Sequence, residues 1–330
     1  MVQTATDRAT RLEVYRMMVE SRLFERRVHD LFLQGLVKGT SHLALGQEAV
    51  AAGFAAVLRE DDLVYCTYRG HVHTYLRGAP MSALMGELLG RATGICGGKG
   101  GSMHLTDVSK GAMGSYAIVG AHMPIAAGAA WAAKERDTGQ VVVCFFGDGT
   151  TNIGAFHEAL NFAVVWELPV VYVCENNLYM EYTPIGSVTA VENPAADRAA
   201  AYGLERIAVD GNDPDEMLEV ATRTVDRARG GGGPSLVEAK TYRHTGHSRA
   251  DPGKYRPDEE VAAWLARDPI PALRERLLAD GADEAELDAI DRAAEELVDR
   301  ATEEARSAPS PDPAILETEV WADGGSAWRS

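Results

Sequence analysis

Asp148 and Asn177 lie 29 positions apart, each just past an apolar run. Asp148 sits inside Gly147-Asp148-Gly149, and Asn177 closes Glu175-Asn176-Asn177. A carboxylate and a carboxamide brought together suit a hard cation such as Mg2+, which takes oxygen ligands and usually keeps a phosphate in its shell. The glycines let backbone approach a ligand, and a helix beginning beside them favours an anion at its N-terminus. The plainer reading makes both pieces turns that tolerate positive φ. Each piece alone is a common short pattern, but the two spaced around one strand–helix–strand unit favour a clamp for Mg2+ and a diphosphate.

Two further polar clusters follow short strands. Tyr68-Arg69-Gly70-His71-Val72-His73 puts an aromatic ring, a guanidinium and two imidazoles on what reads as a strand-end loop. A guanidinium matches the geometry of paired phosphate oxygens. The stretch from Arg243 to Asp251 holds two histidines, two arginines and an aspartate in nine residues of a chain with net charge −17. Its bland reading is a solvated loop.

The elements that must position these groups read as alternating strands and helices. Val141 to Phe146 is an apolar run suited to a strand buried on both faces, and Val170 to Cys174 is a second. Between them Ile153, Phe156, Leu160, Ala163 and Val164 predict a helix over 152–166, stopped by Pro169. Such strands are parallel with a right-handed crossover, so their polar ends share one edge, where open α/β sheets bind ligands. Upstream, 7–37 reads as a long amphipathic helix. A second helix is expected from Thr40 through 58, with His42 and Glu48 as capping and packing residues, and then a strand over 61–67. The Ala/Gly-rich stretch 120–136 reads as a helix that packs closely in the core or at an interface. Downstream come a strand at Leu204–Val209, a helix at 214–229 capped from the preceding Asp-rich turn, and a strand at Ser235–Tyr242. Acidic amphipathic helices over 258–306 and a tail, Ile315–Trp321, complete the chain. The glycine-rich stretch 94–105 is neither a Walker A loop, because Gly follows Lys99, nor a G-x-G-x-x-G turn. It is either close backbone packing or a binding loop.

The fold class is therefore α/β, with a mostly parallel sheet and helices on both faces. The division expected is an N-terminal helical arm (1–40), an α/β domain (41–256), and C-terminal helices with a tail (257–330). A hydrophobic content of 46% is ample for a core of this size. The acidic balance argues against nucleic acid and anionic membranes as partners. The four cysteines form no C-x-x-C pair, and Cys144 and Cys174 fall in the buried strands, so they are expected reduced. With no long apolar run and no signal-like N-terminus, the expected compartment is cytoplasmic. A nicotinamide-dependent Rossmann enzyme would need a glycine fingerprint followed by an acid, and neither is present.

Several segments together resemble one family. GDGTTN…ENN is similar to the thiamine-diphosphate motif. HLALGQEA, TYRGHVHTYLRG, GGKGGSMHL and TYRHTGHSRADPG resemble the α subunit of the two-chain E1 component of 2-oxo acid dehydrogenase complexes, in the family's order from about residue 10 to 275. The resemblance implies a thiamine-diphosphate-binding fold. It implies Mg2+ held by Asp148, Asn177 and the Tyr179 carbonyl, with Gly149 and Thr150 amides on the diphosphate and Tyr68 and Arg69 gripping it. Ala117 and Val119 match positions where backbone meets the aminopyrimidine, and His247 and His71 match active-site histidines, as proton carriers or oxyanion stabilisers.

In this family the acid that acts on the aminopyrimidine N1′ sits on a β subunit, and no glutamate of this chain matches it. The implied assembly is an α2β2 heterotetramer that cleaves pyruvate or acetoin and passes the acyl group to a lipoyl-E2 acyltransferase. An uncoupled two-carbon transferase, acyl or ketol, shares the framework. Met180 and Glu181 depart from the small residues that follow the tyrosine in pyruvate-specific relatives, which leaves the substrate open. Ser248 matches a serine phosphorylated in mitochondrial relatives, whereas Lys254 occupies the region of a second such serine.

Overall fold

The computed structural model describes residues 7–318, so the expected tail beyond Thr318 lies outside the described residues. Strands β1 (Leu63–Thr67), β2 (Ala112–Tyr116), β3 (Val142–Gly147) and β4 (Val170–Asn176) form the main sheet with β7 (Ile207–Asp210) and β8 (Ser235–Lys240). Their order is β2-β1-β3-β4-β8-β7, and every neighbouring pair is parallel. A two-stranded antiparallel hairpin, β5 (Tyr179–Met180) with β6 (Thr183–Pro184), follows β4. The β3–β4 register pairs Val142 with Val170 and ends with Gly147 opposite Glu175, so Asp148 and Asn177 leave the sheet at one edge.

Because side chains alternate across a strand, the apolar runs supply both faces at once. Cys144, Phe146, Tyr172 and Cys174 pack on one face against α5 (His122–Glu135) and α6 (Gly154–Val165). Val143, Phe145, Val171 and Val173 pack on the other against α2 (Glu48–Ala55) and α7 (Pro214–Arg229). Burying side chains of this size stabilises by roughly 1.5–3 kcal/mol each. The expected helix 214–229 is found with those limits, capped by Asp213 with Pro at its first turn.

The terminal helices build a second layer. Val14, Tyr15 and Met18 of α1 (Arg8–Leu33) pack on Leu273 and Leu277 of α9 (Pro269–Ala279). Farther along α1, Phe24, Val28 and Leu31 meet α4 (Met81–Leu88) and α10 (Glu284–Ser307). Helices α3 (His71–Leu76) and α8 (Asp258–Leu265) complete the set. None of the helices among the described residues is long and apolar enough to cross a membrane. On α5 and α6 a set of apolar side chains faces outward. Trp131 and Trp166 stack at 5.5 Å, Phe162 stacks on Trp166 at 4.9 Å, and Ile125 and Val165 lie exposed on the same two helices.

Three sequence expectations need correction. The second helix starts at Glu48 rather than Thr40, because the Ala44 amide is drawn to the Glu25 carboxylate (2.9 Å) and Gly46 adopts φ +93°. His71 and His73 lie on α3, not on a loop, since the chain turns at Gly70 directly into a helix. The helix after Asp148 begins at Gly154; Asp148–Asn152 form a tight 3-10 turn first.

Candidate active site

At the carboxyl ends of β1, β3 and β4 the sheet opens into a cavity. The chain passes from β1 outward to β2 and returns to β3 on the other side of β1, so the cavity stands where strand order reverses. Of the residues singled out in the sequence, Tyr68, Arg69, Val119, Asp148, Gly149, Thr150, Asn177, Tyr179 and His247 line it together. Separate chain segments thus converge on one space.

Asp148 is the carboxylate there with an unsatisfied oxygen. Its Oδ1 accepts from the Gly149 amide at 2.8 Å, whereas its buried Oδ2 has no hydrogen-bond partner. Burial pushes its pKa up to about 6, with the Gly149 amide and Arg243 acting in the opposite direction. A cation at Oδ2 would relieve both the missing partner and the desolvation. Asn177 is held from two sides: its Nδ2 donates to Gln47 Oε1 (3.3 Å), and its Oδ1 accepts from the Tyr179 amide (3.4 Å). Among the described residues no group of three or more His, Cys, Asp or Glu side chains forms a metal site. A cation here would rest on one carboxylate with amide and carbonyl oxygens. That set suits Mg2+, which is commonly bound by one or two carboxylates plus a phosphate.

Elsewhere in the wall Arg69, which is buried, brings a positive charge, alongside Glu175 and Glu181. Arg69 donates through Nη1 to the Leu43 carbonyl and through Nη2 to the His247 carbonyl (3.0 Å), and burial lowers its pKa to about 10. The His247 amide donates to Asp251 Oδ2 at 2.6 Å, which fixes the loop bearing this imidazole. Burial, then Arg69 and Arg243, lower the His247 pKa to about 4, so its ring is neutral near neutral pH. The His42 ring lies tilted against Tyr68 at 4.4 Å and edge-to-face with His247 at 4.9 Å, and burial drives its pKa still lower. A neutral imidazole beside two guanidiniums is a hydrogen-bonding group, not a second positive charge.

Two expected residues lie elsewhere. His71 is fully buried with both ring nitrogens engaged, Nδ1 with Glu25 Oε2 (2.9 Å) and Nε2 with Ser102 Oγ (2.7 Å), and it does not line the cavity. Ala117 is likewise outside the lining, although Val119 is within it. The open question about 94–105 has an answer in Glu87. That carboxylate accepts from the amides of Cys96, Gly98, Gly100 and Gly101 at 2.7–3.0 Å, so these amides are satisfied within the chain. Gln47, Thr67 and Glu175, which carry no role in the sequence motifs, also line the cavity. For Gln47 the signal was its place in HLALGQEA. Glu175, bonded to His73 at 3.1 Å, directly precedes the two asparagines. Met180 and Glu181 also line it, with Leu178 and Glu181 at φ +72° and +53°, a conformation uncommon outside glycine.

A family model described as dehydrogenase E1 component matches residues 15–314. The chain is 43% identical over 311 residues to the α subunit of acetoin:2,6-dichlorophenolindophenol oxidoreductase from Bacillus subtilis, covering 94% of this chain and 93% of that one. It is 43% identical over 317 residues to the protein of the same name from Cupriavidus necator, covering 96% and 95%. It is 42% identical over 316 residues to the pyruvate dehydrogenase E1 component α subunit of Zymomonas mobilis, covering 95% and 89%.

Proposed function

The chain belongs to the dehydrogenase E1 component family, and from that premise we propose that it is the α subunit of a thiamine-diphosphate-dependent enzyme that cleaves acetoin or pyruvate. The observation that carries this reading is the unpartnered, buried Oδ2 of Asp148 in a cavity shared with Asn177, Tyr179, Arg69 and His247. Asp148, Asn177 and the Tyr179 carbonyl would hold Mg2+. The Gly149 and Thr150 amides, with Tyr68 and Arg69, would receive the diphosphate.

When bound, thiamine diphosphate supplies a carbanion and an electron sink for breaking a carbon–carbon bond. The protein's share is placement and electrostatics. Arg69 offers its charge from a site anchored by two backbone carbonyls, which costs little reorganisation on binding. His247, neutral and held through its amide by Asp251, is set to exchange a proton at the reacting end. His71 acts at one remove, tying Glu25 on α1 to Ser102, and is a positioning residue. Val119, in the lining, and Ala117, outside it, would meet the aminopyrimidine through their backbone, and the ring's far side would reach a β subunit. That subunit would supply the acid on N1′, in an α2β2 assembly that hands its acyl group to a lipoyl-E2.

Glu181 favours one substrate within this reading. Glu181 lines the cavity, and its carboxylate, turned inward, would oppose the carboxylate of a 2-oxo acid, whereas acetoin is uncharged. The test is the α chain co-assembled with a β subunit and assayed on pyruvate and acetoin with a dye acceptor, with and without a lipoyl domain. Asp148→Ala should abolish Mg2+-dependent thiamine diphosphate binding in calorimetry, and unchanged binding would overturn the assignment. Glu181→Gln should shift the kcat/KM ratio toward pyruvate. Turnover without dye or lipoyl domain, with a second carbonyl compound taking up the two-carbon group, would point instead to an uncoupled two-carbon transferase.

A further inference from the structure

Glu238 is wholly buried on β8, outside the cavity lining, with three donors converging on its two oxygens. Oε1 accepts from Asn176 Nδ2 at 2.7 Å. Oε2 accepts from the Ala195 and Ala196 amides at 2.9 and 2.8 Å. Each oxygen leads to a different half of the clamp. On the Oε1 side, Asn176 presents its Oδ1 to the Leu178 amide (3.1 Å), and Leu178 holds φ +72° in the turn that aims Asn177 and Tyr179 into the cavity. On the Oε2 side, the two amides open the helical turn carrying Arg198. That guanidinium donates to the Thr151 carbonyl and to Asn152 Oδ1, both at 2.8 Å, bracing the turn that begins at Asp148.

We propose that Glu238 is a positioning residue that sets the two ligand-bearing turns, 148–152 and 176–179, in register for Mg2+ and the diphosphate. This rests on the function proposed above. The need for a carboxylate follows from counting donors. Ala195 and Ala196 present fixed backbone N–H groups, and Asn176 must present its NH2 outward if its oxygen is to receive Leu178 N–H. A residue accepting at both oxygens satisfies all of them, and an amide of the same shape cannot. In Glu238→Gln the amide oxygen would keep the two backbone donors, leaving its NH2 against the NH2 of Asn176. Asn176 must then flip, and the Leu178 N–H loses its acceptor.

The test uses the co-assembled α and β chains, with Mg2+ and thiamine diphosphate titrated in by calorimetry. Glu238→Gln should weaken Mg2+-dependent binding by about tenfold, as expected for one buried donor left unsatisfied, with kcat at saturation held within about twofold. In the unliganded protein, hydrogen exchange of the Leu178 amide should quicken. The double variant Glu238→Gln/Asn176→Asp moves the charge across the hydrogen bond and keeps the net charge. Its carboxylate at the strand end can accept from both the new amide and the Leu178 N–H, so affinity and exchange protection should both return. Wild-type affinity in folded Glu238→Gln, or a double variant no better than the single one, would overturn the proposal. A wild-type complex that binds no thiamine diphosphate would instead sink the reading it rests on, and the exchange data would still decide whether Glu238 orders the turn.

Discussion

The turn at 147–149 and the loop at 94–101 are made from the same parts: glycines, backbone amides and one buried carboxylate. In the loop the carboxylate, Glu87, arrives from α4, and both its oxygens are filled by four amides. Gly98 is required there, at φ +80° with a side chain's first carbon only 2.8 Å from the Arg91 carbonyl. In the turn the carboxylate, Asp148, spends one oxygen on its neighbour and keeps the other. The loop is therefore a closed structural knot and the turn an open receptor. Glycine content does not separate them, but pairing every donor with its acceptor does.

The contrast can be broken by mutation. The largest effect is expected at Glu87: Glu87→Gln has one acceptor for four amides and should cost about 2–4 kcal/mol in urea unfolding of the apo chain. Mg2+–thiamine diphosphate affinity of the folded complex should change little. Equal stability of variant and wild type would mean that the loop's amides do not depend on Glu87. A change of opposite sign is expected at Asp148. Its pKa is raised from 3.8 to about 6, so the folded chain binds more protons than the unfolded one between those values. Stability accordingly falls as pH rises through that window. Asp148→Asn should stabilise the apo chain by about 2–3 kcal/mol above pH 6 and by nothing below the window, while losing Mg2+ binding. An apo melting temperature unchanged at pH 7 would remove the claim that Asp148 is strained without a cation.

A third change tests the neutral imidazoles beside Arg69. His247 is lowered from 6.5 to about 4, so the unfolded chain binds the extra proton, and stability falls as pH drops from 6.5 toward 4. His42 is lowered for the same first cause, burial. His42→Gln/His247→Gln should flatten that acid slope in melting temperature measured against pH. A slope as steep as wild type would assign it to other groups.

Much of this arrangement is legible in local patterns. The alternating faces of β3 and β4, the capped helix at 214–229 and the facing ends at Asp148 and Asn177 all follow from short-range periodicity and turn chemistry. What escapes is set by distant partners. Nothing near Ala44 announces that its amide will bond Glu25 on another helix, yet that bond helps hold 41–47 out of the helix and leaves His42 beside His247. Glu87 and Glu238 look like ordinary surface acids until the fold brings backbone amides to them. His71 shows the converse: its motif suggested chemistry, and its two bonds leave it no free nitrogen.

The outward rings of Trp131, Phe162 and Trp166 have a consequence for the life of the newly made chain. Apolar attraction has no direction and little preference among partners. Until something covers that face, two copies of this chain can adhere as readily as a copy and its intended companion. The outcome is then decided by which encounter comes first. Yield of the lone chain should fall as its own concentration rises, and supplying the companion during synthesis should rescue more protein than supplying it afterwards.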